Sequence, residues 1–218
     1  DEILYLGDFW NEKELRKKKQ QIMQSNLIMG KIFARAYRYL AAAKCIYDDI
    51  YKIYEEATNA AGANKEAAEI IKKVFGTLPI ADKVGNIRKL FGSAITPNGL
   101  YNYLETIIDV NEHIYIVKGA LGSGTEKLME QIADTAVQRG LNIEAYYCPM
   151  DPEKRIEHVV IPKLSLAFTT SNKYHSAGTD SSNVIDLDVY IDKNVLEKYR
   201  DILKYNEEMM DSLLDRTI

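Results

Sequence analysis

The sequence has few cysteines and histidines, and it has no long apolar run. Cys45 and Cys148 are far apart in apolar surroundings, which predicts free thiols with packing roles in a reducing, cytoplasmic compartment. The three histidines do not cluster with cysteines at the spacing of metal ligands, so no metal site is predicted. No apolar run approaches the ~18 residues of a membrane span, which predicts no membrane partner.

Basic residues are also in short supply. The 218 residues include 28 Lys and Arg against 32 Asp and Glu, which gives a net charge of −4. The longest basic run, residues 16–19, lies in a helical stretch and is interpreted as a solvated face. These features predict no nucleic-acid partner. A hydrophobic content of 46% is enough for the core of one or two domains.

Residues 11–86 form a segment whose apolar periodicity predicts helices. From 12 to 57, apolar residues recur at steps of three, four or seven, and Asn11 is placed to cap the first turn. We expect a kink near 26–30 and a further helix over 65–75. The segment is interpreted as a helical hairpin, and an exposed apolar stripe on it would be a dimer or inter-repeat surface.

Residues 87–218 predict an α/β domain. Thr96 and Pro97 are typical of a helix start, and Gly140 of a helix end. Strands that alternate with helices predict a mostly parallel sheet with helices on both faces. The predicted strands cover 88–95, 113–117, 142–148, 159–161, 164–169 and 184–187, and the predicted helices cover 96–109, 126–139 and 192–216. A short turn is predicted at Asp151 and Pro152.

The chain contains one internal similarity. Residues 3–11 resemble residues 184–192, at a constant offset of 181 positions. In both places an apolar strand is predicted to lead into a capped helix. We therefore expect residues 1–10 to be the strand tail of a preceding repeat, and a chain that starts at Asp1 to be a piece of a tandem protein. The matching pairs are Leu6 and Leu187, Phe9 and Tyr190, Asn11 and Asp192, Leu15 and Leu196, and Lys17 and Lys198.

A glycine-rich loop follows the strand predicted over 113–117. Gly119 and Gly124 occupy the two glycine positions of the P-loop pattern G-x-x-x-x-G-K-[ST], and Gly122 adds an inner glycine. Backbone N–H groups in such a loop favour an anion. However, Thr125 and Glu126 replace the lysine that contacts the terminal phosphates and the hydroxyl that binds Mg²⁺.

Two interpretations of this loop stay open. Ser123 and Glu126 match an S-x-x-E capping box, in which each side chain would satisfy a backbone N–H of the other residue. The loop would then bind no phosphate and have a structural or regulatory role. The alternative is an active nucleotide site for ATP and Mg²⁺ in an ATPase or a nucleotide kinase, with weak anion binding between these two extremes. Lys127 does not rescue the pattern, because two residues along a helix turn a side chain by roughly 200°.

Other candidate ligand contacts lie at the predicted strand ends. Lys118 directly precedes the glycine loop, and Asp186 lies on the last predicted strand with Asp188 close by. The polar loop over 170–183 contributes Lys173 and His175. Ligands of α/β proteins bind at the carboxyl ends of the strands, which is why these residues are candidates. No catalytic residue is assigned.

Several stretches besides the glycine loop carry a resemblance to a known family. They are Asp8-Phe-Trp10, Arg35-Ala-Tyr-Arg-Tyr-Leu40, Ala94-Ile-Thr-Pro97, Tyr146-Tyr-Cys148, Asp151-Pro152, Val160-Ile-Pro162 and Ala167-Phe-Thr-Thr-Ser-Asn-Lys-Tyr-His175. Together they resemble a group of bacterial tandem P-loop proteins, described as ATPase-like or nucleotide-kinase-like and found in spore-forming bacteria. The resemblance implies two P-loop halves joined by a helical segment, ATP binding somewhere in the full protein, and a first half or a homo-oligomer as partner. Loops of this group usually end in G-K-[ST], so the departure at Thr125 and Glu126 counts against hydrolysis by this half.

Overall fold

A computed structural model describes residues 6–172 and 183–217, so the candidates Lys173 and His175 lie outside the described residues. The strands are β1 (Ile87–Leu90), β2 (Ser93–Thr96), β3 (Gly99–Asn102), β4 (His113–Lys118), β5 (Ile143–Cys148), β6 (Asp151–Ile161), β7 (Leu166–Ser171) and β8 (Asn183–Asp186). The helices are α1 (Glu12–Lys17), α2 (Lys19–Ala57), α3 (Ala60–Phe75), α4 (Leu104–Ile108), α5 (Thr125–Gln138), α6 (Lys193–Lys198) and α7 (Arg200–Asp215).

Six strands form the main sheet, in the order β1-β5-β6-β7-β4-β8. The pairs β1–β5, β4–β7 and β4–β8 are parallel, whereas β6 runs antiparallel to both of its neighbours. The predicted α/β class, with a mostly parallel sheet flanked by helices, is confirmed. β4 lies inside the sheet between two parallel partners, so the loop after β4 leaves from the carboxyl edge that these strands share.

The main core lies between one face of the sheet and the helices α3 and α5. Leu128, Met129 and Ile132 of α5 are fully buried there, because they recur at helical spacing on the face turned to the sheet. On the sheet, the Tyr115 and Phe168 rings stack with their centroids 4.8 Å apart. The short helix α4 packs against the opposite face through Leu104 and Ile108, so both faces have helical cover.

A second cluster joins the long helix α2 to α7. α2 has 39 residues, and all of its buried residues lie in its second half. There it packs against the buried α7 residues Leu203, Met210 and Leu214, which we call the α7 stripe. Asn206 donates a hydrogen bond to Asp49 at 2.6 Å across this contact. No helix within residues 6–172 and 183–217 has both the length and the apolar composition needed to cross a membrane.

The helices of the first segment differ from the prediction at their boundaries. α2 is assigned as one continuous helix through 26–30, and a one-residue interruption at Lys18 separates it from α1. The next helix begins at Ala60 rather than near 65. Its start is set by Asn59, whose side chain accepts a hydrogen bond from the N–H of Gly62 at 3.1 Å.

The helix predicted over 96–109 is wrong in its first half. Residues 93–102 form the β2–β3 hairpin, and only Leu104–Ile108 is helical. Thr96 does not cap a helix, because its hydroxyl donates to the carbonyl of Gly99 at 2.9 Å inside the turn. Gly99 has a φ of +112°, which favours glycine, so the Pro-Asn-Gly sequence is a turn rather than a helix start.

The turn predicted at Asp151 and Pro152 is also wrong, because both residues belong to β6. This strand has 11 residues and pairs with β5 through a register shift near Tyr147. Pro152 fits here because proline is tolerated near the beginning of a strand, where one missing N–H donor matters little.

The internal similarity extends to local structure. The strand predicted over 184–187 is β8, whereas residues 1–5 of its predicted counterpart lie outside the described residues. Residues 6–9 form a 3-10 turn, and so do residues 188–190. A capping residue, a six-residue helix, a one-residue break and a longer helix follow in both places. At the same offset of 181, the α7 stripe corresponds to Ile22, Met29 and Phe33, which we call the α2 stripe and which are all exposed.

Candidate functional site

The glycine loop (119–124) connects the end of β4 to the start of α5. Gly122 has a φ of +82° and Gly124 a φ of +98°, conformations that side chains with a β-carbon rarely adopt. Gly119 is needed for a different reason: a β-carbon there would lie 2.3 Å from the hydroxyl of Ser123. The three glycines therefore meet backbone requirements of this turn, as the sequence pattern indicated.

Helix α2 lies directly against the glycine loop. A β-carbon on Gly122 would be 2.4 Å from the carbonyl oxygen of Tyr51 and 3.1 Å from the backbone nitrogen of Glu55. Beside this contact, Lys127 pairs with the Glu55 carboxylate at 3.1 Å, so its side chain turns to α2. The inner glycine therefore allows the close approach of a helix backbone.

Glu126 is bound by a residue of α2. Its side chain is buried and accepts a hydrogen bond from the Tyr51 hydroxyl at 2.8 Å, and the Thr125 hydroxyl donates to its other oxygen at 3.4 Å. Burial and the nearby Glu126 carboxylate raise the pKa of Tyr51, so the phenol stays a proton donor. The carboxylate that replaces the Mg²⁺-binding hydroxyl of the P-loop pattern is thus fixed by a neutral partner 75 positions away in sequence.

The predicted capping box is wrong. Gly124 is the residue at the N-cap of α5, and no side chain caps this helix. The Ser123 hydroxyl is fully buried and has no hydrogen-bond partner among the described residues. The box does not form because the Glu126 carboxylate binds Tyr51 instead of the backbone of Ser123.

The structure brings most of the sequence-predicted residues together. Lys118, exposed at the end of β4, is in register with Asp186 of β8. The Asp186 carboxylate accepts from the N–H of Asp188 at 3.0 Å, and the Asp188 carboxylate accepts from the N–H of Ala120 at 2.7 Å. Asp188 therefore holds the first turn of the loop. The loop itself contains or adjoins the other candidates: Gly119, Gly122, Ser123, Gly124, Thr125 and Glu126.

A cavity of about 450 Å³ opens beside the glycine loop. It lies at the carboxyl ends of β4, β5 and β7, between α2, α7 and the β2–β3 hairpin. Its size lies within the usual range for small-molecule sites in proteins. Most of its wall is apolar, and residues from each surrounding element contribute: Tyr47, Ile95, Leu100, Leu121, Met150 and Met210.

Arg155 and Glu157 are charged groups in the cavity wall that sequence reasoning missed. Arg155 is 6% exposed, donates a hydrogen bond to the Tyr47 hydroxyl and holds its guanidinium 5.7 Å from the centroid of the Tyr47 ring. Its Nε atom has no hydrogen-bond partner among the described residues. The available signal was the alternation Arg-Ile-Glu, which places both charges on one side of a strand, but a turn was predicted nearby and the strand was not extended to them.

The two cysteines differ in environment. Cys148 lies in the cavity wall, and burial raises the pKa of its thiol to about 12, which keeps it neutral and unreactive. Cys45 is exposed, so its predicted packing role is wrong. Across residues 6–172 and 183–217, no group of three or more His, Cys, Asp or Glu side chains is arranged to hold a metal ion.

Comparisons with protein-family models, curated proteins and solved structures gave no significant match to this chain.

Proposed function

We propose that this chain is a P-loop NTPase-like module whose glycine loop does not hydrolyse nucleotide and instead anchors α2 to the sheet. The observation that carries the proposal is the bond between Tyr51 and Glu126, made beside the Gly122 contact with the α2 backbone. Both contacts use loop positions that a P-loop enzyme needs for its phosphates and its metal ion. The role is structural or regulatory, in a reducing cytoplasmic compartment.

The chemistry of hydrolysis is missing from these positions. Thr125 has no positive charge to offer a terminal phosphate, and Glu126 places a carboxylate at the expected position of the Mg²⁺-binding hydroxyl. Like charges in a buried site repel strongly, because little water screens them. Restoring function would therefore require removing the carboxylate as well as adding a lysine.

A second function, anion or ATP binding without hydrolysis, is favoured by the unused donors of the loop. The N–H groups of Gly122, Gly124 and Thr125 donate to no acceptor in the described part of the chain. The buried Ser123 hydroxyl is similarly unused. Unpaired N–H groups at a helix N-terminus are a suitable environment for one phosphate group.

Calorimetry with Mg-ATP separates these two functions. We expect the unaltered chain to bind Mg-ATP more weakly than ~10 μM, which corresponds to roughly −7 kcal/mol. The double change Thr125→Lys with Glu126→Ser should create or strengthen binding. Glu130→Ser, which removes an acid one turn later on α5, is the matched control and should leave the affinity for Mg-ATP unchanged. Tight binding by the unaltered chain that Gly124→Val abolishes would contradict the structural role.

Substitution of Gly122 tests the anchoring role directly. Gly122→Ala places a β-carbon against the α2 backbone at positive φ, and we expect a loss of more than ~1 kcal/mol in the free energy of unfolding. Gly30→Ala is the matched control, because Gly30 lies in the open middle of α2 with no atom near its added β-carbon. That control should stabilise the chain by about 0.5–1 kcal/mol. If urea titrations gave the same change in the free energy of unfolding for Gly122→Ala and Gly30→Ala, the anchoring role would be contradicted.

We further propose that the α2 stripe docks on a helix from another domain of similar fold. The α7 stripe, its counterpart at the offset of 181, packs on the second half of α2, so the natural occupant is a helix with a similar face. Such a unit is a first P-loop half of the same protein, as the resemblance implies, or a second copy of this chain.

Light scattering distinguishes these two partners. A dimer that Met29→Asp dissociates would identify a second copy. Gln24→Asp is the matched control, because position 24 lies on the opposite side of the helix from the α2 stripe. A monomer at every concentration tested would leave a first half as the occupant.

A further inference from the structure

We propose that the cavity beside the glycine loop binds a small molecule with an apolar body and one carboxylate group, and that Arg155 binds the carboxylate. This site differs from the proposed phosphate site, because it uses side chains of the cavity wall and not the backbone N–H groups of the glycine loop.

The first argument is the incomplete set of hydrogen bonds at Arg155. The guanidinium is buried and donates to the neutral hydroxyl of Tyr47, while the buried Glu157 carries the opposite charge nearby on the same strand without coming within 4.0 Å. The Nε–H of Arg155 has no acceptor among the described residues, and a buried donor without an acceptor is unfavourable. An incoming carboxylate would supply acceptor oxygens that match the planar donor fork of arginine.

The second argument is the shape and composition of the wall. The β2–β3 hairpin lies outside the main sheet and closes one side of the cavity with Ile95, Leu100 and Tyr101. Tyr47 and Tyr54 of α2 form part of another side. Aromatic and aliphatic walls of this kind bury an apolar body, while a few polar groups fix its orientation.

The other charges of the cavity disfavour a ligand with more than one negative charge. Glu157, Asp188 and Glu207 also line the cavity, against the two cations Arg155 and Lys118. Asp188 is engaged by the N–H of Ala120, but the buried Glu157 lies two residues from Arg155 on the same strand. A doubly charged phosphate ester or a triphosphate would meet this repulsion, whereas one carboxylate bound at Arg155 meets less of it.

Calorimetry with three simple carboxylates tests the proposal on the full chain: 2-naphthoate, 4-phenylbutyrate and octanoate. We expect at least one to bind with a Kd below about 1 mM, the level at which binding of small probes is readily measured. Its neutral amide should bind at least about tenfold more weakly, because the amide brings no charge to Arg155. The matching phosphate monoester should also bind more weakly.

Two variants locate the binding. Arg155→Met should remove the preference for the carboxylate over the amide, because methionine offers neither a charge nor an N–H donor. Ala94→Trp should fill the cavity and abolish binding without touching Arg155, since Ala94 lines the cavity from the exposed face of the hairpin. Tyr103→Trp is the matched control, because Tyr103 is exposed beside the hairpin and outside the cavity wall.

Three results would overturn the proposal: no binding of any of the three probes at about 1 mM, equal binding of acid and amide, or unchanged binding by Ala94→Trp. Glu130→Ser, on α5 and outside the cavity wall, should leave carboxylate binding unaltered. The two proposals are tested by different ligands: ATP binding tests the glycine loop, and carboxylate binding tests the cavity.

Discussion

The start of the chain and its end, residues 12–34 and 193–215, share a sequence pattern and a local structure but differ in burial. Each has a capped six-residue helix, a one-residue break and a longer helix. Met210 in the α7 stripe is 3% exposed, whereas its counterpart Met29 in the α2 stripe is 49% exposed. The same amphipathic pattern therefore has a helical partner at one place and none in the described structure at the other.

The difference shows what periodicity encodes. A stripe of apolar residues at helical spacing specifies which face of a helix avoids water, but it does not specify which element covers that face. The first half of α2 is helical without cover because it continues into a second half that is packed, and extending an existing helix avoids the cost of nucleating a new one. Three pairs of substitutions at matched positions measure how far the two segments differ in their contribution to stability.

The largest contrast is expected for the two methionines. Met210→Ala should lower the free energy of unfolding by about 2–4 kcal/mol, because it leaves a void between α7 and α2. Met29→Ala should change it by less than about 0.5 kcal/mol, as for most exposed positions. Urea unfolding of both variants at low protein concentration checks this. Similar losses would mean that the α2 stripe is covered in solution.

A smaller contrast is expected at the polar residue beside each stripe, Asn206 in α7 and Ser25 in α2. Asn206→Ala removes a part-buried hydrogen bond to Asp49 and should cost about 1 kcal/mol. The counterpart Ser25 is exposed and has no such partner among the described residues, so Ser25→Ala should be nearly neutral. Thermal unfolding of the two variants is the measurement. A neutral Asn206→Ala would mean that this bond adds nothing to the α2–α7 contact.

The smallest contrast is expected at the caps. Asp192 accepts from the N–H of Asn194 at 2.8 Å, and its own N–H donates to the carbonyl of Ala57, which ties α6 to α2. Asp192→Ala should therefore cost roughly 1 kcal/mol of global stability. Asn11→Ala should only fray α1, which buries no residue. Hydrogen exchange at the amides of the two first turns separates local fraying from a global loss; faster exchange throughout the Asn11→Ala variant would contradict the expectation.

The fold was predictable where one local signal was unopposed. The α5 helix from Thr125 to Gln138 was found nearly to the residue, because a glycine turn precedes it and Gly140 follows it. The β2–β3 hairpin was missed because Thr96 and Pro97 satisfy both a helix start and a turn, and the following Gly99 decides between them. β6 was missed in part because Pro152 was interpreted as a turn residue although it lies near the start of a strand.

The site was predictable only in its local part. The glycine loop depends on neighbouring residues, so its backbone requirements were visible in the sequence. The contact between Arg155 and Tyr47 joins positions 108 apart, and the Tyr51 bond to Glu126 joins positions 75 apart. No periodic pattern marks such pairs, because they arise from how α2 crosses the carboxyl edge of the sheet. The failed capping box has the same origin, since a distant tyrosine displaced a local partner.

The length of α2 has a mechanical consequence. A helix of 39 residues is a rod about 58 Å long. The second half contacts Gly122 and supplies Tyr47 and Tyr54 to the cavity wall, while no described element covers the apolar stripe of the first half. A partner that binds the first half of α2 and tilts the helix would also move its second half. Such a tilt would change the shape of the cavity tens of ångströms away, because the helix is that long.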